Sequence, residues 1–283
     1  MLKLFVKGIL LSVLIIPLLS FVIMTTMTST DKPSSNYGSG TMFDRIATRY
    51  DFINGVLAMR MDVGWRQTMV DRVATFLAEN KSAKILDIAT GTAEVALLLA
   101  ETIPNADIIG MDPSVNMLTI GREKVTKKEY DDRITLNVGG VEAFSKDLKA
   151  NTFDAATMAF GIRNVPPPRE DALCNIHRVL KKKTKKQQSS MFCILEFSEP
   201  EMTGVISYLA KLFIQYVVPV VGGILSGNLQ EYIHLQNSIA DFPTPNNFVD
   251  ILQGLNCKNG GSFRVDDVIQ MNFGSVQLYI MTP

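Results

Sequence analysis

Hydrophobic positions from residue 84 onward alternate between short apolar runs and longer segments with helical spacing. The apolar runs predict strands at 84–90, 106–112, 133–138, 153–160 and 191–197. The intervening segments predict helices at 93–103, 114–127 and 169–181. The strands are apolar at successive positions, which is typical of parallel strands that helices cover on both faces. This pattern predicts an α/β fold with a doubly wound, mostly parallel sheet.

Residues 1–29 differ from the rest of the chain because they form a hydrophobic leader. Residues 4–24 contain one charged side chain, Lys7, and as a helix they are long enough to span a bilayer core. Lys3 and Lys7, followed by an apolar run and a segment rich in Ser and Thr, equally fit a cleavable targeting peptide. The segment is compatible with both a membrane anchor and a cleavable targeting peptide.

Residues 30–41 contain Pro, Gly, Ser and Asn without an apolar period and predict a flexible linker. The folded domain is therefore predicted to span residues 42–283. Its length and composition, with 47% apolar and 20% charged residues, are those of a globular domain with a sizeable core.

Charge and cysteine content exclude several classes of function. The 28 basic and 28 acidic side chains balance, so no surface for neutralising phosphates is expected and nucleic acid is not a predicted partner. Cys174, Cys193 and Cys257 are scattered and lack metal-ligand spacing. They predict buried thiols in a reducing compartment, with neither a disulfide framework nor a metal site.

Candidate chemistry begins where the first predicted strand ends. A turn of small residues around Gly91 leads directly into a helix and lets a ligand approach the backbone. Asp112 ends the next strand, twenty-one residues after Gly91, where a carboxylate can accept hydrogen bonds from ribose hydroxyls. The alternative is purely structural, with Gly91 in a tight turn and Asp112 capping the following helix.

The glycine pattern separates the nucleotides that this crevice could bind. Positions 93 and 96 are alanines, so the GxGxxG motif of dinucleotide sites is absent, which disfavours NAD and FAD. S-Adenosylmethionine has no pyrophosphate, and carboxylates such as Asp87 and Glu94 would match its cationic sulfonium. The residues favour methyl transfer, while a nicotinamide-dependent oxidoreductase stays as the disfavoured alternative.

Six motifs, spread in order between Met42 and Phe242, resemble those of the ubiquinone/menaquinone biosynthesis C-methyltransferases, a class I S-adenosylmethionine-dependent family. They are FDRIATRYD at 43–51 with Asn54, Leu57, Trp65 and Arg66, ILDIATGT at 85–92, GMDPS at 110–114, FGIRNV at 160–165, EFSEP at 196–200 and the segment from EY to SI at 231–239. The resemblance implies a Rossmann-like fold with an N-terminal helical cap. It also implies methyl transfer from S-adenosyl-L-methionine to a ring carbon of a membrane-borne, prenylated benzoquinol or naphthoquinol.

The resemblance implies roles for residues in these motifs. Arg163 would stabilise the phenolate, directly or through an activated water, while Asn164 and Tyr50 would orient the ring hydroxyl. The alternative is structural, with Arg163 paired to an acid at a strand end and Tyr50 packed on the core. The implied cofactor-binding residues are Asp87, Ala89, Gly91, Thr92, Asp112, Pro113, Met117, Gly140, Val141 and Ala159.

The chain departs from the family pattern at two cofactor positions. Ala93 replaces a usual glycine, and its methyl group is expected to crowd the methionine moiety. Gly140 and Val141 stand where an acidic or amide residue and an alanine are usual, so side-chain contacts to the adenine are in doubt. A non-catalytic scaffold in a quinone-biosynthesis complex therefore stays as a second alternative.

The remaining features of the sequence concern the membrane, two histidines and possible partners. The apolar segment 205–225 is expected to form a hydrophobic wall for the prenyl tail or a core hairpin rather than a second membrane span. His177 is expected to be structural, whereas His234 is a candidate to face the substrate. The leader and the implied chemistry predict the matrix side of the mitochondrial inner membrane, with a plastid membrane as alternative. A quinone-biosynthesis complex or a homodimer is the expected assembly.

Overall fold

A computed structural model describes residues 40–141, 144, 148–184, 189–198, 217–227, 229–258 and 261–283. The predicted leader, most of the predicted linker and the first part of the apolar segment 205–225 lie outside the described residues.

A seven-stranded sheet with the order β3-β2-β1-β4-β5-β7-β6 forms the centre of the molecule. Its strands are β1 (Ala83–Ile88), β2 (Ala106–Asp112), β3 (Ile134–Val138), β4 (Ala155–Ala159), β5 (Met191–Phe197), β6 (Arg264–Met271) and β7 (Val276–Thr282). β1 to β5 are parallel, whereas β7 runs antiparallel to both β5 and β6. The prediction of a doubly wound, mostly parallel sheet is confirmed.

Helices cover both faces of this sheet. They are α1 (Gly40–Leu57), α2 (Met61–Phe76), α3 (Glu94–Thr102), α4 (Val115–Lys127), α5 (Arg169–Val179), α6 (Val218–Ser226), α7 (Leu229–Ala240) and α8 (Pro245–Gln253). Short 3₁₀ turns lie at Ile162–Asn164 and Asn272–Gly274. Successive residues of β1 face opposite sides, with Ile85 in the core beneath α2, α3 and α4 and Leu86 in the core beneath α5 and α8.

The strand order reverses between β1 and β4, because β2 and β3 lie on one side of β1 and β4 and β5 on the other. A crevice opens at such a point, outside the carboxyl ends of the parallel strands. The first chemical motif of the sequence follows β1 directly, so the topology places it at this crevice.

The expectation of three buried thiols is wrong for two of the cysteines. Cys174 of α5 and Cys257, which follows α8, form a disulfide with a Cα–Cα distance of 5.3 Å. Both helices pack on the same face of the sheet, which brings together cysteines that lie 83 residues apart in the chain. Cys193 of β5 is a buried thiol, and burial raises its pKa to about 12.

No helix in the described part of the chain is long and apolar enough to cross a bilayer. The described portion of the apolar segment 205–225 belongs to α6, where Val218 is buried and Ile224 is 75% exposed. The predicted transmembrane helix falls within residues 1–29, outside the described residues.

Candidate active site

Two adjoining cavities open at the carboxyl ends of β1, β2 and β4. The glycine-loop cavity, about 260 Å³, is bounded by the ends of these strands and by the loop after β3, and its lining includes Gly91, Asp112 and Gly140. The cap cavity, about 380 Å³, lies beneath α1 and α2. The two cavities share four lining residues, which are Phe43, Tyr50, Phe160 and Asn164. A ligand in one cavity can therefore meet a ligand in the other at this shared wall.

Most of the predicted cofactor-binding residues line the glycine-loop cavity. These are Ala89, Gly91, Asp112, Pro113, Met117, Gly140, Val141 and Ala159. Asp87 and Thr92 do not line it. The structure thus brings together eight residues of the predicted set, drawn from the ends of several strands, and places the other two behind the loop.

The Asp112 carboxylate joins the loops after β1 and β2. Its Oδ2 accepts a hydrogen bond from the Gly91 backbone N–H at 2.9 Å, and its Oδ1 accepts one from the Ser114 N–H at 2.8 Å. Each oxygen keeps a lone pair that can accept a ligand hydroxyl. Burial raises the pKa of Asp112 to about 6, although the bonds from Ser114 and Gly91 oppose that shift.

Asp87 lies beneath the turn rather than on its surface. Its carboxylate accepts hydrogen bonds from the hydroxyls of Thr90, at 2.6 Å, and Thr157, at 2.7 Å. These bonds tie the turn after β1 to the neighbouring strand β4. Burial raises the pKa of Asp87 to about 6, with Thr90 and Thr157 opposing the shift.

Two further polar residues near the turn after β1 also bind protein groups. The hydroxyl of Thr92 donates to Asp51 of α1 at 2.7 Å, and Glu94 forms an ion pair with Lys124 at 2.6 Å. Glu94 does not line the glycine-loop cavity. The cavity therefore does not show the expected match between Glu94 and a sulfonium.

Ala93 does not line the glycine-loop cavity. It adopts a left-handed conformation, with φ 65°, and is fully buried. A β-carbon placed on Gly121 of α4 would lie 3.3 Å from the Ala93 methyl group, so the methyl group faces α4. The structure gives no support to the expected crowding of the methionine moiety.

Helix α1 closes one side of both cavities through residues on two of its faces. Phe43 and Tyr50 contact each other edge to face, with ring centroids 5.9 Å apart, and line both cavities. Asp44 accepts hydrogen bonds from the Ser114 hydroxyl and the Asn116 N–H, at 2.6 and 2.9 Å. Asp51 accepts from Thr92 and forms an ion pair with Lys124. α1 is thus fastened to the loops on either side of the glycine-loop cavity.

Aromatic side chains form much of the cap cavity. Phe160 and Phe197 are stacked with centroids 4.7 Å apart, and Trp65 contacts both rings edge to face. Its titratable and amide side chains are Tyr50, Asn54, Asp62, Arg66, Arg163, Asn164, Tyr232, His234 and Asn272. A cavity of this kind fits an aromatic ring that carries a few hydroxyl groups.

Arg163 and Asn164 lie on the 3₁₀ turn after β4, and both line the cap cavity. The Arg163 guanidinium donates to Glu196 Oε1 at 2.5 Å and to the Phe160 carbonyl at 2.9 Å. Glu196 is fully buried at the end of β5 and also accepts from the Phe197 N–H at 2.8 Å. Arg163 is therefore paired with an acid, as the structural alternative held, and also faces the cavity.

Tyr50 is held in its neutral form by its surroundings. Burial raises the pKa of its hydroxyl, although the positive charges of Arg163 and Arg66 and a hydrogen bond with Asn54 oppose the shift. A protonated tyrosine hydroxyl can donate or accept a hydrogen bond, as orienting a ring hydroxyl requires.

The sequence did not single out several residues of the cap cavity. Asp62 and Arg66 of α2 form an ion pair at 2.5 Å and line the cavity beside Trp65. Trp65 and Arg66 were recognised only as part of a motif, and Asp62 carried no signal. The role of these residues depends on how α2 packs against the sheet, which no local spacing reveals.

His234 of α7 lines the cap cavity together with the predicted catalytic residues. Its pKa is lowered by burial and by the positive charge of Arg163, with a smaller opposing effect of Asp241. The imidazole is therefore neutral at physiological pH. His177, in contrast, packs edge to face against Phe263 with centroids 5.2 Å apart, away from both cavities.

The doubly wound sheet has the fold of the class I methyltransferases. A solved S-adenosylmethionine-dependent methyltransferase from Aquifex aeolicus has a similar fold, with a TM-score of 0.50 and 15% identity over 75% of this chain and 88% of that chain.

A profile of the ubiE/COQ5 methyltransferase family matches residues 30–262, and the chain belongs to this family. The ubiquinone/menaquinone biosynthesis C-methyltransferase UbiE of Geotalea uraniireducens is 38% identical over 219 residues, covering 77% of this chain and 87% of that protein. The demethylmenaquinone methyltransferase of Thermus thermophilus is 33% identical over 240 residues, covering 84% and 98%.

Proposed function

We propose that this protein transfers the methyl group of S-adenosyl-L-methionine to a ring carbon of a prenylated quinol precursor in ubiquinone or menaquinone biosynthesis. The observation that carries the proposal is the wall shared by the two cavities, which contains Tyr50 and Asn164. Family membership favours this activity over a nicotinamide-dependent oxidoreductase. The names of the relatives lend no support to a non-catalytic scaffold.

The residues of the glycine-loop cavity fit S-adenosylmethionine. Asp112 offers carboxylate oxygens to the ribose hydroxyls, and Gly91 leaves room for close approach to the backbone. Gly140 has no side chain to bond the adenine, so recognition there falls to backbone groups and to the apolar wall around Met111 and Met158. When bound, the cofactor supplies an electrophilic methyl group on a sulfonium.

The cap cavity suits the acceptor ring. An aromatic carbon is a weak nucleophile, and removal of a ring hydroxyl proton raises electron density at the neighbouring carbons. The cationic Arg163 stabilises the resulting phenolate, while Tyr50 and Asn164 orient its oxygen toward the shared wall. Phe160, Phe197 and Trp65 exclude water around the ring.

Apolar side chains at the rim of the cap cavity support uptake of the acceptor from a bilayer. Met59 and Phe273 line the cavity and are 68% and 56% exposed, and Met61 lies beside them. An exposed apolar rim of this kind favours a membrane surface. Together with the hydrophobic leader, it motivates the proposal that the enzyme works at an organelle membrane.

We place the enzyme at the matrix face of the mitochondrial inner membrane, with a plastid membrane as the alternative. The disulfide between Cys174 and Cys257 is typical of oxidising compartments and weighs against the matrix. Fractionation of organelles, with thiol labelling of these two cysteines in each fraction, distinguishes the sites. Recovery only in an oxidising compartment would contradict the matrix assignment.

A homodimer or a quinone-biosynthesis complex is the proposed assembly, to be tested by the mass of the detergent-extracted protein.

Methyl transfer by the full-length chain in detergent tests the proposed activity. The protein is offered S-adenosylmethionine labelled in its methyl group, with a demethylated benzoquinol or naphthoquinol as acceptor. We expect label in one acceptor, which identifies the branch. The double variant Arg163→Met with Glu196→Gln removes the cation without leaving a buried, unpaired carboxylate, so it should bind the cofactor normally and lose turnover. Asp112→Ala should instead lose cofactor binding. A folded wild-type protein that binds no cofactor, or that binds it and methylates neither quinol, would contradict the proposal.

A further inference from the structure

Methylation of a phenolic ring requires a group that takes the hydroxyl proton, and the cap cavity contains few candidates. The titratable side chains that line it are Tyr50, Asp62, Arg66, Arg163, Tyr232 and His234. The proton acceptor must line the cavity and must be able to take a proton near neutral pH.

Arg163 does not meet this requirement. An arginine guanidinium stays protonated in proteins. Neutralising it would also leave the fully buried Glu196 carboxylate without its counter-charge, at a large energetic cost. The Arg163 guanidinium, paired with Glu196, is therefore suited to stabilise a phenolate rather than to remove the proton.

Asp62 and the tyrosines are also poor acceptors. Protonation of Asp62 would disrupt its 2.5 Å ion pair with Arg66, and both side chains are mostly buried. Tyr50 is a neutral phenol, and burial raises its pKa. A neutral phenol is a very weak base, which also applies to Tyr232.

His234 lies on α7, which packs against the 3₁₀ turn that carries Arg163. Arg163 is close enough for its charge to lower the pKa of His234, and Asp241 at the end of α7 acts weakly in the opposite sense. Helix α6, which packs beside α7, contains no titratable residue. Across the cavity stand Tyr50, Asp62 and Arg66.

We infer that His234 is the general base of the proposed reaction and accepts the ring hydroxyl proton while Arg163 stabilises the oxygen that loses it. The inference rests on the proposed function and assigns the acceptor of the proton within it. A neutral imidazole can accept a proton, and the neighbouring cationic Arg163 stabilises the phenolate that remains.

The methyl transfer requires two protons to leave the ring, one from the hydroxyl oxygen and one from the methylated carbon. The hydroxyl proton passes to an imidazole nitrogen of His234, and the O–H electron pair stays on the phenolate oxygen. The ring carbon uses a π electron pair to bond the methyl group, and the sulfonium carbon–sulfur pair stays on sulfur. The methylated ring then loses its C–H proton and becomes aromatic again. The C–H proton is released to solvent, and the phenolate oxygen takes back the proton held by His234, which returns to its neutral form. One proton is thus released for each methyl group transferred.

His234→Gln keeps a polar side chain of similar size and removes the basic nitrogen. We expect it to lower kcat by about 10²- to 10⁴-fold, the usual contribution of a general base, with unchanged affinity for S-adenosylmethionine. Wild-type kcat should fall as the pH drops below the lowered pKa of His234, and His234→Gln should lack this acidic limb. Added imidazole should restore part of the activity of His234→Ala, which a purely structural role would not produce.

Two further variants separate the alternatives. Asn237→Ala changes an exposed residue on α7 outside both cavities and should keep full activity. Asp62→Asn tests the competing carboxylate and should retain the acidic limb. An active wild-type enzyme whose His234→Gln variant keeps its kcat and its acidic limb would overturn the inference but leave the proposed function intact. Loss of the limb in Asp62→Asn would transfer the role to Asp62. A wild type without methyl transfer would instead refute the proposed function.

Discussion

At the scale of single residues, the left-handed Ala93 is the departure from the family pattern that the structure explains most directly. A left-handed conformation costs a non-glycine residue about 1–2 kcal/mol. Against this cost, the buried methyl group contributes about 0.8 kcal/mol, and alanine restricts the unfolded chain by about 0.4–1 kcal/mol relative to glycine. These effects nearly cancel, so the alanine is tolerated at little net cost.

We therefore expect Ala93→Gly to change the free energy of unfolding by less than about 1 kcal/mol, because strain and burial offset each other. Affinity for S-adenosylmethionine should stay unchanged, since the methyl group faces α4. Urea unfolding and calorimetric titration measure the two quantities. A variant that binds the cofactor tenfold more tightly would show that Ala93 does crowd the methionine moiety.

The sequence predicted the positions of the site residues better than their contacts. Arg163, Asn164 and Tyr50 meet in one cavity, although α1 lies about a hundred residues before the β4 turn. Asp87 was expected beside the cofactor, but its register with Thr157 in β4 turns the carboxylate beneath the loop. Motif spacing fixes where a residue lies along a strand, whereas its hydrogen-bond partners depend on strands that are distant in sequence.

At the scale of secondary-structure elements, helix α1 links the two cavities. Its Asp44 and Asp51 bind the starts of α4 and α3 and the side chain of Lys124, while Phe43 and Tyr50 enter the cavities. The shape of the shared wall should therefore depend on polar contacts that lie outside it.

Asp51→Asn should weaken cofactor binding although Asp51 does not line the glycine-loop cavity. The change removes the charge that attracts Lys124 and weakens the bond with Thr92, at a cost of about 1 kcal/mol, or roughly fivefold in affinity. Calorimetric titration measures the affinity, and hydrogen exchange should show faster opening of α1. Asp71→Asn, at an exposed position of α2, is the matched control. Equal affinity and exchange in both variants would contradict a role for Asp51 in closing the cap.

The parallel half of the sheet was predictable from sequence, whereas the C-terminal hairpin was not. β1, β2, β4 and β5 are largely apolar and buried, as parallel strands covered on both faces are, whereas the edge strand β3 alternates apolar and polar residues. β6 contains two adjacent aspartates and is mostly exposed or half-buried, so it lacks a clear apolar pattern. It is an edge strand paired only with β7, and its position depends on that partner.

At the scale of the whole molecule, cofactor binding and stability place opposite demands on buried carboxylates. Asp87 and Asp112 are buried close to one another, and burial raises both pKa values to about 6. In the unfolded chain, both carboxyls have their ordinary pKa of 3.8. Between pH 3.8 and about 6, the folded state therefore binds more protons than the unfolded state. The contribution of the two groups to the stability of the fold is fully present at low pH and is lost as the pH rises through about 6.

This linkage predicts that the stability of the fold and the affinity for S-adenosylmethionine change in opposite directions with pH. Between pH 7 and pH 5, the contribution of Asp112 to the free energy of unfolding should increase, whereas affinity for S-adenosylmethionine should decrease because protonation weakens its carboxylate as an acceptor. Asp112→Asn isolates the effect, since every other titrating group is shared with the wild type. The asparagine amide can accept only one of the two backbone hydrogen bonds, which adds a constant offset to the stability of the variant. Denaturant unfolding at several pH values should show the stability difference shifting in favour of the wild type as the pH falls from 7 to 5. If the stability difference between the two proteins were independent of pH, Asp112 would not titrate near pH 6, and a loss of cofactor affinity in that range would have to come from another group.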